Sequence, residues 1–264
     1  MTPIQENRVF TYRLDLAYEG TDFRGFARQP EVRTVQGDLE KALSVALREE
    51  VLTTCAGRTD AGVHARRQVV SMTLSRQIDD EGAVIRSLNR LLPPDVRVHR
   101  LSPAGKGWSA RFAATWRAYR YHVRTEPLAD PMHRRLVWHV GVPLDIDAMN
   151  KAAALLVGTH DFASFCRAAQ GRSSVREVRE AQWRAEKAGH LTFEVLASSF
   201  CQQMVRSMVG WCVEVGRGRR DASETPGVLA ARDRQAAGPV APPQGLILWE
   251  VGYGESREGR PGVE

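Results

Sequence analysis

The chain has 264 residues and a mass of 29.4 kDa, which is enough for one large domain or two smaller ones without disulfides to stabilise it. Its 43% hydrophobic and 26% charged residues are ordinary for a soluble globular protein, and no apolar run approaches the ~20 residues that a membrane span needs. The net charge of +6 and the pI of about 9.4 favour a polyanionic partner. Four of the 37 basic residues are lysine and the rest are arginine, which suits forked phosphate contacts and stacking on bases. Genomic bias is the alternative source of that ratio.

The first hundred residues alternate between predicted strands and predicted helices. The order is a strand over Tyr12–Tyr18, an amphipathic helix over Val35–Glu49, a strand over Gln68–Leu74, a helix over Ala83–Leu92 and a strand over Val96–Leu101. Pro93 and Pro94 end the second helix. This order predicts an α+β unit over residues 1–108.

The pattern then restarts. The predicted strands are Arg117–Arg124, Val178–Trp183, Leu191–Ala197 and Leu246–Tyr253, and a hairpin containing residues 188–190 joins the second and third of them. The predicted helices are Asp147–Val157, with Asp145 or Asp147 near its N-cap, Gln202–Gly216 and Pro226–Ala231. We therefore expect a second, related α+β unit over residues 109–253, followed by a disordered tail over residues 254–264.

The four cysteines form no C-x-x-C pair, so the spacing typical of zinc sites is absent; they are Cys55, Cys166, Cys201 and Cys212. We interpret them as reduced cysteines of a cytoplasmic protein. The N-terminal stretch MTPIQENRVF has no apolar region, so no signal peptide is expected.

A loop with an unusual composition precedes the strand at Gln68. It places Arg58, Thr59 and Asp60 between Gly57 and Gly62, and glycines let a backbone turn sharply and approach a ligand closely. A carboxylate in such a loop can be a nucleophile, a general base or a metal ligand. The structural alternative is that Asp60 caps a turn or pairs with Arg58 on the surface.

Two further groups of residues stand out in the second half. Tyr119 and Tyr121 fall on one face of a predicted strand with Arg120 on the other, so they are either core residues or a platform for a nucleobase. Arg206 lies inside an otherwise apolar helix and needs a partner, for which Asp60 is a candidate, unless its side chain extends from the helix edge into water.

Several blocks in a fixed order carry a resemblance to a known family. They are Thr34-Val35-Gln36, Gly57–His64 (GRTDAGVH), Leu91–Val98, Ala110-Arg111-Phe112, Arg117–Tyr121, Gly158–Phe165, Phe200–Gly210 and Gly245–Tyr253. Together these blocks resemble the TruA-type tRNA pseudouridine synthases over residues 12–253, with GRTDAGVH matching the family's core signature.

The resemblance implies a fold, an activity and partners. The implied fold is α+β, with two related subdomains sharing a mostly antiparallel sheet and a central RNA-binding cleft. The implied activity is the isomerisation of uridine to pseudouridine at positions 38, 39 and 40 of the tRNA anticodon stem-loop. The family works as a homodimer and uses no metal and no organic cofactor.

The resemblance also implies roles for individual residues. Asp60 would be the catalytic carboxylate, which must be ionised, and Arg206 would keep it charged. Tyr119 would stack on the extruded uracil, and Arg58 would occupy the vacated space. The remaining substrate contacts are expected at Arg24, Arg111 and His64.

The chain departs from the family pattern in two places. Phe23–Gln29 (FRGFARQ) stands where the family usually has Y-x-G-W-Q-x-Q, and Ser109 stands where it often has histidine. These departures affect how tRNA is held. Two other classes remain as alternatives: an RNA chaperone without chemistry, and a hydrolase that uses Asp60 and His64.

Overall fold

A computed structural model of the chain describes residues 9–167, 171, 173–187 and 189–254. Ten strands and five α-helices lie in this part. The strands are β1 (Phe10–Tyr18), β2 (Thr53–Cys55), β3 (His64–Leu74), β4 (Val96–Ala104), β5 (Trp116–Arg124), β6 (Trp138–His139), β7 (Gly158–Asp161), β8 (Val175–Ala185), β9 (His190–Ala197) and β10 (Leu246–Gly252). The helices are α1 (Val35–Leu47), α2 (Glu81–Leu91), α3 (Ile146–Ala154), α4 (Met204–Gly216) and α5 (Thr225–Ala231).

The chain divides into two compact units, Met1–Ala114 and Thr115–Glu264. The boundary predicted from the sequence, between residues 108 and 109, lies a few residues before this division. The predicted tail falls outside the described residues except for Gly254, and so does residue 188 of the predicted hairpin.

The first unit is built around β1. This strand pairs antiparallel with β3 on one side and with β4 on the other, and β2 pairs antiparallel with β3. Tyr12, Leu14, Leu16 and Tyr18 are all buried, as expected when alternate residues of a strand point to one face. Helix α1 begins where the Thr34 hydroxyl accepts a hydrogen bond from the Gly37 N–H.

The second unit is a run of antiparallel strands in the order β10, β5, β9, β8 and β7, with β6 parallel to β5. Helix α4 is almost entirely buried, and α3 packs against it. A Cβ on Gly216 of α4 would stand 2.6 Å from the sulfur of Met149 in α3, so glycine permits this close approach. None of the described helices is both long and apolar enough to cross a membrane.

The predicted strands and helices with a clear period are confirmed, including Asp145 as the N-cap of α3. Three short strands, β2, β6 and β7, were not predicted. Strand β3 starts at His64, earlier than predicted. Its first residues were not recognised as a strand because most of them are polar and they show no alternation. Helix α3 ends at Ala154 and not at Val157.

Candidate active site

The loop between β2 and β3 carries Asp60 at the surface of the first unit. Asp60 is half-buried, Arg58 is exposed and Thr59 is buried. The N–H of Val63 donates to the carbonyl oxygen of Asp60 at 3.2 Å and closes the turn. Gly62 has a φ of 77°, which disfavours other residues, whereas Gly57 needs no positive φ and has open space around it. The turn geometry expected from the glycines therefore holds at Gly62 only.

Residues 20–26, here called the brace, support this loop through backbone hydrogen bonds. The N–H of Phe26 donates to the Thr59 carbonyl at 3.1 Å, and the N–H of Gly62 donates to the Phe23 carbonyl at 3.3 Å. A Cβ on Gly20 would stand 2.0 Å from the carbonyl oxygen of Val63, so only glycine allows this contact. Sequence reasoning missed the brace, although the two glycines at positions 20 and 25 were a signal for it.

Buried hydroxyl and amide groups hold the loop from the strand side. The Tyr18 and Thr59 hydroxyls are hydrogen-bonded at 2.8 Å. The side-chain amide of Gln68 donates to the Gly57 carbonyl at 2.7 Å and lies 3.4 Å from the Tyr18 hydroxyl. Strands β1 and β3 thus fix the two residues on either side of Arg58.

His64 is only 3% exposed, and its ring supports the brace. The N–H of Gly20 donates to its Nδ1 at 2.9 Å. Because a backbone N–H can only donate, Nδ1 must be unprotonated, so the ring is neutral with its hydrogen on Nε2. Glu19 Oε1, which lies 3.4 Å from Nδ1, therefore faces a neutral ring and forms no ion pair with it.

Of the two departures from the family pattern, the segment of residues 23–29 contacts this loop. Phe26 is fully buried, and its ring lies 6.0 Å from that of Tyr18. The carbonyl of Ser109 accepts a hydrogen bond from the Ala113 N–H at 3.0 Å. Arg24, within the brace, is exposed, and its backbone N–H donates to the Arg33 carbonyl at 2.9 Å.

Positive charge is concentrated beside the loop. Burial raises the pKa of the Cys55 thiol to about 11, while the charges of Arg58 and then Arg111 oppose the rise. Both guanidinium groups therefore act on the same point at the end of β2. Arg111 is exposed, like Arg58.

The second unit places its two tyrosines as the strand period predicts. Tyr119 and Tyr121 are buried on one face of β5, whereas Arg120 on the other face pairs with Glu194 at 2.6 Å. The ring of Tyr119 is 8% exposed and meets the ring of Phe200 edge-on, with 5.1 Å between centroids. The Tyr121 hydroxyl donates to the Pro242 carbonyl at 2.7 Å, so this tyrosine belongs to the core.

Arg206 lies on α4 and is half-buried. Its Nε donates to the Ala241 carbonyl at 2.7 Å, and the Ala241 N–H donates back to the Arg206 carbonyl at 3.0 Å. Burial raises the pKa of Tyr121, and the charge of Arg206 opposes that rise. The structure thus gives this arginine a fixed position within the second unit. Among the described residues, no three His, Cys, Asp or Glu side chains are grouped to hold a metal.

Comparison with known proteins decides the family. A family model described as tRNA pseudouridine synthase matches residues 16–113 and 152–254, which is more than half of the chain. The chain belongs to this family. The predicted family is confirmed, and the α+β architecture with mostly antiparallel strands agrees with the pseudouridine synthase fold.

Relatives from several bacteria match over most of their length. The tRNA pseudouridine synthase A of Streptomyces griseus is 46% identical over 248 residues, which cover 91% of this chain and 87% of the relative. That of Myxococcus xanthus is 42% identical over 94% and 93% of the two chains. That of Thermosipho africanus is 41% identical over 91% and 98%.

Proposed function

We propose that this tRNA pseudouridine synthase isomerises uridine to pseudouridine at positions 38, 39 and 40 of the anticodon stem-loop, with Asp60 as the catalytic carboxylate. The observation that carries the proposal is the braced loop, in which a half-buried Asp60 lies between the fixed Thr59 carbonyl and the Val63 turn. A group held in place before the substrate arrives needs little reorganisation during the reaction.

The chemistry requires one carboxylate and no net change in electrons. The bond between C1′ and N1 breaks, the uracil rotates, and a bond between C1′ and C5 forms. The hydrogen on C5 leaves as a proton, and N1 takes up a proton. Asp60 can attack C1′, attack C6 of the base, or remove the proton from C2′, and each route uses its ionised form.

Arg58 acts next to this carboxylate. The target base is stacked in a stem-loop, and turning it out costs a few kcal/mol. We assign Arg58 to occupy the space that the base leaves, because its side chain is exposed while the neighbouring Thr59 is buried and fixed.

Tyr119 and Arg206 are assigned to the same reaction from the family resemblance. Tyr119 would stack on the extruded uracil, with the edge contact of Phe200 fixing the angle of its ring. Arg206 would favour the ionised state of the catalytic carboxylate. The bond from its Nε to the Ala241 carbonyl holds the guanidinium in a fixed position within the second unit.

Arg24 and Arg111 are assigned to phosphate contacts, since both are exposed on a chain with a net charge of +6. For His64, the low exposure and the bond from Gly20 favour positioning of the loop over the direct substrate contact that the resemblance implied. We also propose a homodimer, as the resemblance implies, which sedimentation velocity of the purified protein would test.

Pseudouridine mapping tests the proposal. Purified protein is incubated with unmodified tRNA transcripts, and the product is located by carbodiimide labelling and primer extension. We expect stops at 38 to 40 for the wild type and for Asp79→Asn, which removes an exposed carboxylate of the first unit. Asp60→Asn, which keeps the shape and loses the charge, should give none.

Each other outcome has a distinct meaning. Stops elsewhere in the tRNA would keep the reaction and overturn the assigned positions. Modification by Asp60→Asn at the wild-type rate would overturn the catalytic assignment. Tight binding of tRNA without any stops would favour an RNA chaperone.

A further inference from the structure

Phe112 is the one exposed aromatic residue among the phenylalanines, tyrosines and tryptophans that the structure describes. Its side chain is 81% exposed, whereas the other aromatic side chains are buried or half-buried. Single exposed apolar residues are common on protein surfaces and need no function by themselves. The surroundings of this ring are what make it informative.

The turn that carries Phe112 is anchored to the strands beside the catalytic loop. Ala110 is fully buried, and its N–H donates to the Ser71 hydroxyl on β3 at 3.1 Å. The bond from the Ala113 N–H to the Ser109 carbonyl closes the turn at 3.0 Å. Because the turn is already anchored, the backbone around the ring loses little conformational entropy when the ring binds a ligand.

A guanidinium group lies beside the Phe112 ring. The Cζ of Arg111 lies 5.4 Å from the centroid of the Phe112 ring. An exposed ring with a cation beside it is the combination that binds single-stranded nucleic acid, where the ring stacks on a base and the cation binds a phosphate.

We propose that Phe112 is a stacking site for a nucleobase of the tRNA other than the reacting uridine, with Arg111 binding the adjoining phosphate. The site takes an unpaired or unstacked base. The proposal rests on the proposed function, because it takes the bound RNA to be a tRNA. The site contributes to binding and not to chemistry.

Direct binding measurements test this site. The dissociation constant of a tRNA transcript is measured by filter binding at several salt concentrations for the wild type, Phe112→Ala, Phe112→Trp and Leu128→Ala. Leu128 is the matched control, because it is an apolar side chain that is 87% exposed in the second unit.

We expect Phe112→Ala to weaken binding about 5- to 150-fold, the range that corresponds to ~1–3 kcal/mol for one stacked base. Phe112→Trp should bind as tightly as the wild type, since a larger aromatic ring still stacks on a base. The salt dependence of Phe112→Ala should stay as in the wild type because the ring is neutral, whereas Arg111→Ala should flatten the log–log slope by ~0.7–0.9. Leu128→Ala should bind as the wild type does.

Replacing Phe112 with a photoreactive phenylalanine analogue then identifies the base. Cross-linking to an unpaired nucleotide of the tRNA would support the site. A dissociation constant of Phe112→Ala within twofold of that of Leu128→Ala would overturn the site. Altered sedimentation of Phe112→Ala with unchanged RNA affinity would also overturn it and would indicate a protein contact. If the wild type modified other positions, the proposed function would fail, yet the loss of affinity in Phe112→Ala would still stand.

Discussion

The hydrogen bond between the Tyr18 and Thr59 hydroxyls can be removed without changing the shape of the core. Tyr18→Phe deletes one oxygen and leaves the buried Thr59 hydroxyl without that partner. A net buried hydrogen bond contributes ~0.5–1.5 kcal/mol, and a buried polar group that loses its partner costs ~1–3 kcal/mol. We therefore expect the free energy of unfolding to fall by about 1–3 kcal/mol.

The same change should slow the reaction, because Thr59 precedes the proposed catalytic carboxylate. Each ~1.4 kcal/mol added to the barrier is a tenfold loss of rate, and a displacement of ~1 Å at a reacting group can cost about a hundredfold. We expect the single-turnover rate at saturating protein to fall about 10- to 100-fold. The affinity for tRNA should change little, since the Tyr18 side chain is buried.

Tyr12→Phe provides the matched control. Tyr12 lies on the same strand, is 1% exposed, and its hydroxyl accepts a hydrogen bond from the Ile78 N–H at 2.7 Å, away from the loop. It should lose a similar amount of stability in urea unfolding and keep its rate. A wild-type rate in Tyr18→Phe would refute the idea that Tyr18 positions the loop. An equal loss of rate in Tyr18→Phe and Tyr12→Phe would assign the effect to general destabilisation.

Three further predictions concern the brace, a thiol and the phosphate contacts. Gly20→Ala places a Cβ 2.0 Å from a backbone carbonyl oxygen, so it should lower the free energy of unfolding by about 1–3 kcal/mol and abolish most activity. Gly105→Ala, with open space around it, should change neither. A fully active Gly20→Ala would contradict the role of the brace. The neighbouring Cys166 thiol lowers the pKa of Cys201, so alkylation of Cys201 by iodoacetamide, followed by mass spectrometry, should rise with pH through a midpoint below the ordinary thiol value of about 8.5. A midpoint at or above that value would argue against the shift. Binding of tRNA should weaken as salt increases, and Arg24→Ala should flatten the log–log slope by ~0.7–0.9, while an unchanged slope would remove Arg24 from the phosphate contacts.

The regular elements could be predicted because their side chains alternate or recur with a clear period. Strand β1 alternates buried and partly exposed residues, and α1 buries residues at helical spacing. The two-residue strand β6 has no period to detect, since only its pairing with β5 defines it. Length alone therefore explains why the short strands were missed.

The sequence was enough to propose candidate site residues, but not to predict the contacts that hold them in place. The loop around Asp60 stood out by composition, and the family resemblance supplied its role. The brace is a tertiary contact between segments about forty residues apart, and no local pattern records that the Phe26 N–H meets the Thr59 carbonyl. The burial of His64 was hidden for the same reason, because its partner is the backbone of Gly20.

The brace bears on how the protein and the RNA adjust to one another. Loops usually belong to the least stable parts of a protein and become ordered when a ligand binds. The Asp60 loop is instead tied to β1, β3 and residues 20–26 by backbone and buried side-chain bonds, so it loses little conformational entropy on contact. In the proposed reaction, the rearrangement that brings a base and a carboxylate together therefore falls mainly on the tRNA, and stem-loops that open easily should be the faster substrates.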